Sequence, residues 1–139
     1  MSMTKIQVYQ AGPGECQILE WIKSLPPLPH PADDPAENEP ENTPYSKCVA
    51  SLLRLRNLGS KLRRPQADIL RDSIWELRWR VGTVQYRILY TFIGKDSALL
   101  LLGCTKEKEV PSKLIDKAID MKKAAKKDPT KHIAKFGKD

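Results

Sequence analysis

Two alternating runs separated by Gly82 and Thr83 constrain this chain more than any other feature. In the first, Trp75, Leu77 and Trp79 alternate with Glu76, Arg78 and Arg80. In the second, Val84, Tyr86, Ile88, Tyr90 and Phe92 alternate with Gln85, Arg87, Leu89 and Thr91. A period of two marks a half-buried strand. Glycine accepts φ > 0, so Gly82-Thr83 predicts a two-residue type II′ turn between the strands. That turn fixes the register. Trp79 then faces Tyr86, Leu77 faces Ile88 and Trp75 faces Tyr90 on the core side, while Arg78 lies opposite Arg87 on the other. Like charges directly opposed destabilise a hairpin, so the arrangement points to an anion between them, with phosphate the obvious candidate. The simpler reading from spacing alone is a solvated face that keeps the sheet soluble.

The charge distribution supports the anion. The net charge is +7, unevenly spread. Residues 51–90 carry nine Lys/Arg against three Asp/Glu, residues 105–139 carry eleven lysines against six acids, and residues 31–42 carry five acids and no base. A basic body with one acidic segment suits a polyanionic partner, an acidic protein partner, or both. The cysteines (Cys16, Cys48 and Cys104) match no metal motif in their spacing, so no metal and no cofactor is expected. Residues 1–12 lack the apolar core of a signal peptide, and no run reaches the length of a membrane span, so a cytoplasmic protein with no membrane partner is expected.

At 139 residues the chain has the length of one ordinary domain, with its body expected at 1–125 and a basic tail at 126–139. Lys5–Tyr9 reads as a first strand and residues 16–25 as a helix with Ile18, Leu19, Ile22 and Leu25 on one face. A proline-rich acidic loop at 26–44 cannot build a core. Residues 45–58 form a second helix with the apolar stripe Cys48, Val49, Leu52, Leu53 and Leu55, closed by Gly59. A basic loop at 61–65 precedes the hairpin, strands at 74–81 and Val84–Ile93. Residues 98–104 are nearly all apolar and read as a central strand buried on both faces. Pro111 opens the last helix, whose stripe is Leu114, Ile115, Ala118 and Ile119. From Lys126 the tail is expected to fray. The fold class is therefore α+β: a small, antiparallel-dominated sheet, an N-terminal helix pair on one face and a C-terminal helix. The simplest packing puts the helices on one sheet face and leaves Arg78 and Arg87 on the other.

The order of elements and four short motifs resemble the RelE/ParE toxin superfamily, and within it the HigB-like branch that includes phage-derived host-toxicity proteins. The motifs are LGSKLRRP from Leu58 to Pro65, Glu76-Leu77-Arg78, Tyr86-Arg87-Ile88-Leu89-Tyr90, and the segment with Lys106 and Lys108 that runs into the Pro111 helix. The resemblance implies a RelE-like fold and the toxin of a type II toxin–antitoxin pair. Its activity would be metal-independent, ribosome-dependent mRNA cleavage in the A site. Its partner would be a small helix-turn-helix, HigA-like antitoxin. The alternatives are a ParE-like gyrase inhibitor and a non-catalytic relative that binds RNA or the antitoxin.

Metal-free RNA cleavage uses the 2′-hydroxyl as nucleophile. It needs a base near that hydroxyl, positive charge on the phosphate and an acid for the leaving 5′-oxygen. By the resemblance, Arg87 takes the phosphate-binding role, Arg78 shares it, and Lys106 and Lys108 stand at the site edge. Glu76 is the candidate base, with a salt bridge to Arg78 or Arg80 as the plainer reading. Lys61, Arg63, Arg64 and Arg80 are expected to contact RNA backbone phosphates. The chain departs from RelE in carrying Ile74 and Glu76 where RelE has two lysines. Its histidines, His30 and His132, fall outside the expected site, and Tyr86 and Tyr90 face the core in the expected register.

Overall fold

The computed structural model describes residues 3–26, 43–105 and 109–136. Among these, one sheet runs through the molecule in the order β2-β3-β4-β5-β1-β6. The strands are β1 (Lys5–Tyr9), β2 (Ala67–Ile69), β3 (Trp75–Val81), β4 (Val84–Ile93), β5 (Ser97–Thr105) and β6 (Ile133–Lys135). Four α-helices accompany them: α1 (Gln17–Lys23), α2 (Pro44–Leu58), α3 (Ser112–Lys127) and α4 (Pro129–His132). The fold is α+β and the pairing is antiparallel except between β1 and β5, which run parallel.

The hairpin adopts the register its turn dictates. Trp75 pairs with Tyr90, Leu77 with Ile88, Arg78 with Arg87 and Trp79 with Tyr86. Gly82 has φ +62° while Thr83 keeps a negative φ, the signature of a type II′ turn. Helix α2 starts where Thr43 accepts a hydrogen bond from the Ser46 N–H at 3.0 Å, with Pro44 in the first turn, and ends at Gly59 with φ +53°.

The two sheet faces carry separate cores. On one, Trp75, Leu77, Trp79, Tyr86, Ile88 and Tyr90 pack against Ile18 and Ile22 of α1 and Leu52 and Leu55 of α2. On the other, Leu89, Leu99, Leu101 and Leu102 meet Ala118 and Ala125 of α3. The expectation that all helices share one face is therefore corrected. Strand β5 is apolar on both sides, and a sheet with two apolar faces needs cover on both. Ala118 and Ala125 of α3 are fully buried in this second core.

Three further expectations change. Strand β2, only three residues long, adds an edge to the hairpin. The tail does not fray at Lys126: Asp128 caps α4 through the Lys131 N–H, and β6 then pairs with β1. His132 ties the two by a 2.8 Å contact between Nδ1 and the Gln10 carbonyl oxygen, and packs edge-on to Tyr9. Finally, Val49 and Leu53, assigned to the apolar stripe of α2, are exposed, and buried Ser51 takes a place on the inner side. The acidic proline-rich stretch, His30 with it, falls at 27–42, outside the described residues.

Candidate functional site

Alternation along β3 and β4 sends Glu76, Arg78 and Arg87 to the sheet face that α3 partly covers. Glu76 pairs in register with Leu89, which belongs to the core under α3, and Arg78–Arg87 is the next pair along that face. Glu76 is 5% exposed and Arg87 8%, so both charges are withdrawn from water. Burial of charge is costly without a partner. The partner is shared: Glu76 Oε1 lies 3.0 Å from Arg78 Nη1 and Oε2 lies 3.6 Å from Arg87 Nε. One carboxylate thus bridges the two guanidiniums that the hairpin register sets face to face. Arg78 is further fixed by donating from Nε to the Pro65 carbonyl oxygen at 2.8 Å.

This arrangement has one consequence for binding. The 3.6 Å contact to Arg87 is the looser of the two, and a phosphate oxygen is a better match for a guanidinium fork than a carboxylate reaching across the strand.

The remaining basic residues scatter around this centre. Arg80 is exposed two residues along the same strand. Arg64 pairs with Asp68 at 2.8 Å, and Asp68 is the register partner of Glu76, so that ion pair borders the site on the β2 side. Arg63 goes elsewhere: its guanidinium lies over the Trp75 ring, 5.1 Å from the centroid, on the side of the helix pair. Lys61 is exposed at the end of a short 3-10 turn, Gly59–Lys61. Lys106 and Lys108 lie outside the described residues, but Lys106 follows Cys104, the register partner of Arg87, by two positions. Tyr90 is fully buried and Tyr86 nearly so on the opposite face, and burial raises both phenols above their usual range. Neither is an acid for this site. His132 serves the β1–β6 junction.

Sequence reasoning missed a cleft of about 570 Å³ beside the cluster, between α2 and the open end of β3. Lys47, Arg54, Arg78 and Arg80 line it, together with Ser51 and Trp79. The signal was present in the spacing: Lys47, Ser51 and Arg54 recur at helical intervals on one side of α2. No group of His, Cys, Asp or Glu among the described residues has the clustering a metal ion needs.

The mostly antiparallel α+β sheet thus carries a buried arginine–glutamate contact with a basic surround. The chain belongs to the family described as phage derived protein Gp49-like, which matches residues 38–127. That family is phage-derived and associated with RelE- and toxin-like proteins. No match is found among curated proteins. The matched span holds α2, β2 to β5 and α3, and with them Glu76, Arg78, Arg87 and the whole cleft. Among the described residues, no helix is long and apolar enough to cross a membrane.

Proposed function

We propose that the protein is the toxin of a type II toxin–antitoxin pair of the HigB-like branch, with a RelE-like arrangement of sheet and helices, and that it cleaves mRNA on the ribosome without a metal. The observation that carries this reading is the buried Arg87–Glu76–Arg78 cluster in a chain of the Gp49-like family.

In this reading the scissile phosphate displaces Glu76 from Arg87. The released Oε2 takes the proton of the adjacent 2′-hydroxyl, the 2′-oxygen bonds to phosphorus and the bond to the 5′-oxygen breaks. Products are a 2′,3′-cyclic phosphate and a 5′-hydroxyl, whose proton comes from solvent or from Lys106. Arg87 and Arg78 stabilise the extra negative charge of the pentacovalent phosphate. The ribosome holds the RNA in reactive geometry, which supplies rate that the sparse acid–base set does not. A helix-turn-helix antitoxin of the HigA type neutralises the toxin.

A second reading, a non-catalytic RNA-binding relative, is favoured by one feature: both Glu76 oxygens are engaged by guanidiniums. A reconstituted translation reaction separates the two. Purified protein added to a defined mRNA should leave new ends bearing a 2′,3′-cyclic phosphate only when ribosomes are present. An intact mRNA in that reaction contradicts the nuclease, and inhibition of DNA gyrase instead would move the protein to the ParE-like group.

A further inference from the structure

We propose that the cleft between α2 and β3 is a second RNA site, which holds one nucleotide of the strand next to the scissile phosphate. The inference rests on the RNA reading above and goes beyond it by assigning Lys47, Arg54, Ser51 and Trp79 a role in binding. Three observations carry it. The cleft is lined by Lys47, Arg54, Arg78 and Arg80 and by no carboxylate. Among the described residues, no carboxylate lies within ion-pair distance of Lys47, Arg54 or Arg80, and Lys47 Nζ donates instead to the Arg80 carbonyl oxygen at 3.0 Å. Two of its lining residues also keep a buried polar atom without a hydrogen-bond partner, Ser51 Oγ and Trp79 Nε1, in side chains 1% and 7% exposed. Native interiors satisfy such atoms almost without exception, and an orphan calls for a missing partner.

The chemistry selects the ligand. Arginine and lysine around a concave surface recognise phosphate. The Ser51 hydroxyl and the Trp79 indole N–H, buried beneath them, remain donors without a partner. A volume of about 570 Å³ falls within the range of small-ligand sites, roughly 300–1,000 Å³, and admits a nucleotide. Arg78 belongs to both places: it bonds Glu76 in the cluster and lines the cleft. RNA bound with its scissile phosphate at Arg87 therefore brings a neighbouring nucleotide to the cleft.

The test is fluorescence anisotropy with a short single-stranded 2′-O-methyl RNA, which binds but cannot be cut, measured between 50 and 200 mM salt. The Lys47→Gln/Arg54→Gln variant should bind at least fivefold more weakly. Its log–log salt dependence should be shallower by about one, since each phosphate contact on a single strand contributes roughly 0.7. A Lys113→Gln/Lys117→Gln control on α3, equal in charge change, should weaken binding less than twofold. Wild-type affinity and slope in the cleft variant would overturn the inference and leave the RNA reading standing. A loss matched by the control would overturn it as bulk charge alone. Failure of the wild-type protein to bind the RNA at all would overturn the inference, while the ribosome-dependent reading would stand or fall on the translation reaction above.

Discussion

Glu76 carries more of the site than its single charge suggests. The hairpin register places half-buried Arg78 against buried Arg87, and without the carboxylate between them the two cations would face each other with that counter-charge gone. Removing it is therefore predicted to cost more than removing either arginine. Glu76→Ala should destabilise the protein by about 3–5 kcal/mol, the usual cost of breaking a buried pair. Arg87→Ala leaves Glu76 balanced by Arg78 and should cost less. Urea unfolding of the two variants checks the order, and an Arg87→Ala protein less stable than Glu76→Ala would contradict it. Cys48 gives a second prediction at this scale. Burial pushes its thiol from 9.0 up to about 12, so the folded state holds the proton more tightly than the unfolded chain. The stability linked to it is complete below pH 9 and is lost as pH rises from 9 towards 12, at up to about 1.4 kcal/mol per pH unit. The melting temperature measured across that range should fall more steeply for the wild-type protein than for Cys48→Ala, and equal slopes would contradict the assignment.

Among the elements, the hairpin was the most legible in the sequence. Its alternation and its Gly82-Thr83 turn fix the pairing without reference to the rest of the chain, and so fix the meeting of Arg78 with Arg87. Strands β2 and β6 were not legible because three residues are too few to show a period, and each forms only because a longer strand offers it an edge. The assignment of helices to faces failed although its correction was written in residues 98–104, whose apolar side chains alternate to both faces and so demand cover on both. The shared counter-ion was half legible: spacing offered Glu76 either Arg78 or Arg80, of which it takes Arg78, but its reach to Arg87 across the strands depends on rotamers that a period of two does not fix. Gly103 shows a further limit. A glycine in the middle of β5 reads only as a weak point, whereas a Cβ there would lie 2.0 Å from the Trp21 ring of α1. Trp21 in turn packs edge-on to Trp79, 6.0 Å between centroids. Gly103→Ala must displace that indole and should destabilise by about 1–3 kcal/mol, as overpacking does. Thermal unfolding, with tryptophan fluorescence to follow the ring, tests this; an unchanged melting temperature would show that α1 yields freely.

At the scale of the molecule, the family match spans both the cluster and the cleft. Residues 38–127 contain α2 and the meander, which build the cluster and the cleft, together with α3. Strands β1 and β6 lie outside that span; β1 pairs with β5 and β6 with β1, completing the sheet on the side away from the hairpin. Basic charge gathers on the site half, where α2, β3 and the 61–65 loop converge, which suits steering of a polyanion towards Arg87. In the proposed reading, the step from holding RNA to cutting it is assigned to Arg87.

Induced expression in a bacterial host, wild type beside Arg87→Ala, with mRNA ends mapped by primer extension, tests this most directly. The account predicts growth arrest with new mRNA ends in phase with codons for the wild type, and neither for the variant. Arrest without new ends, or the same ends in Arg87→Ala, would contradict it.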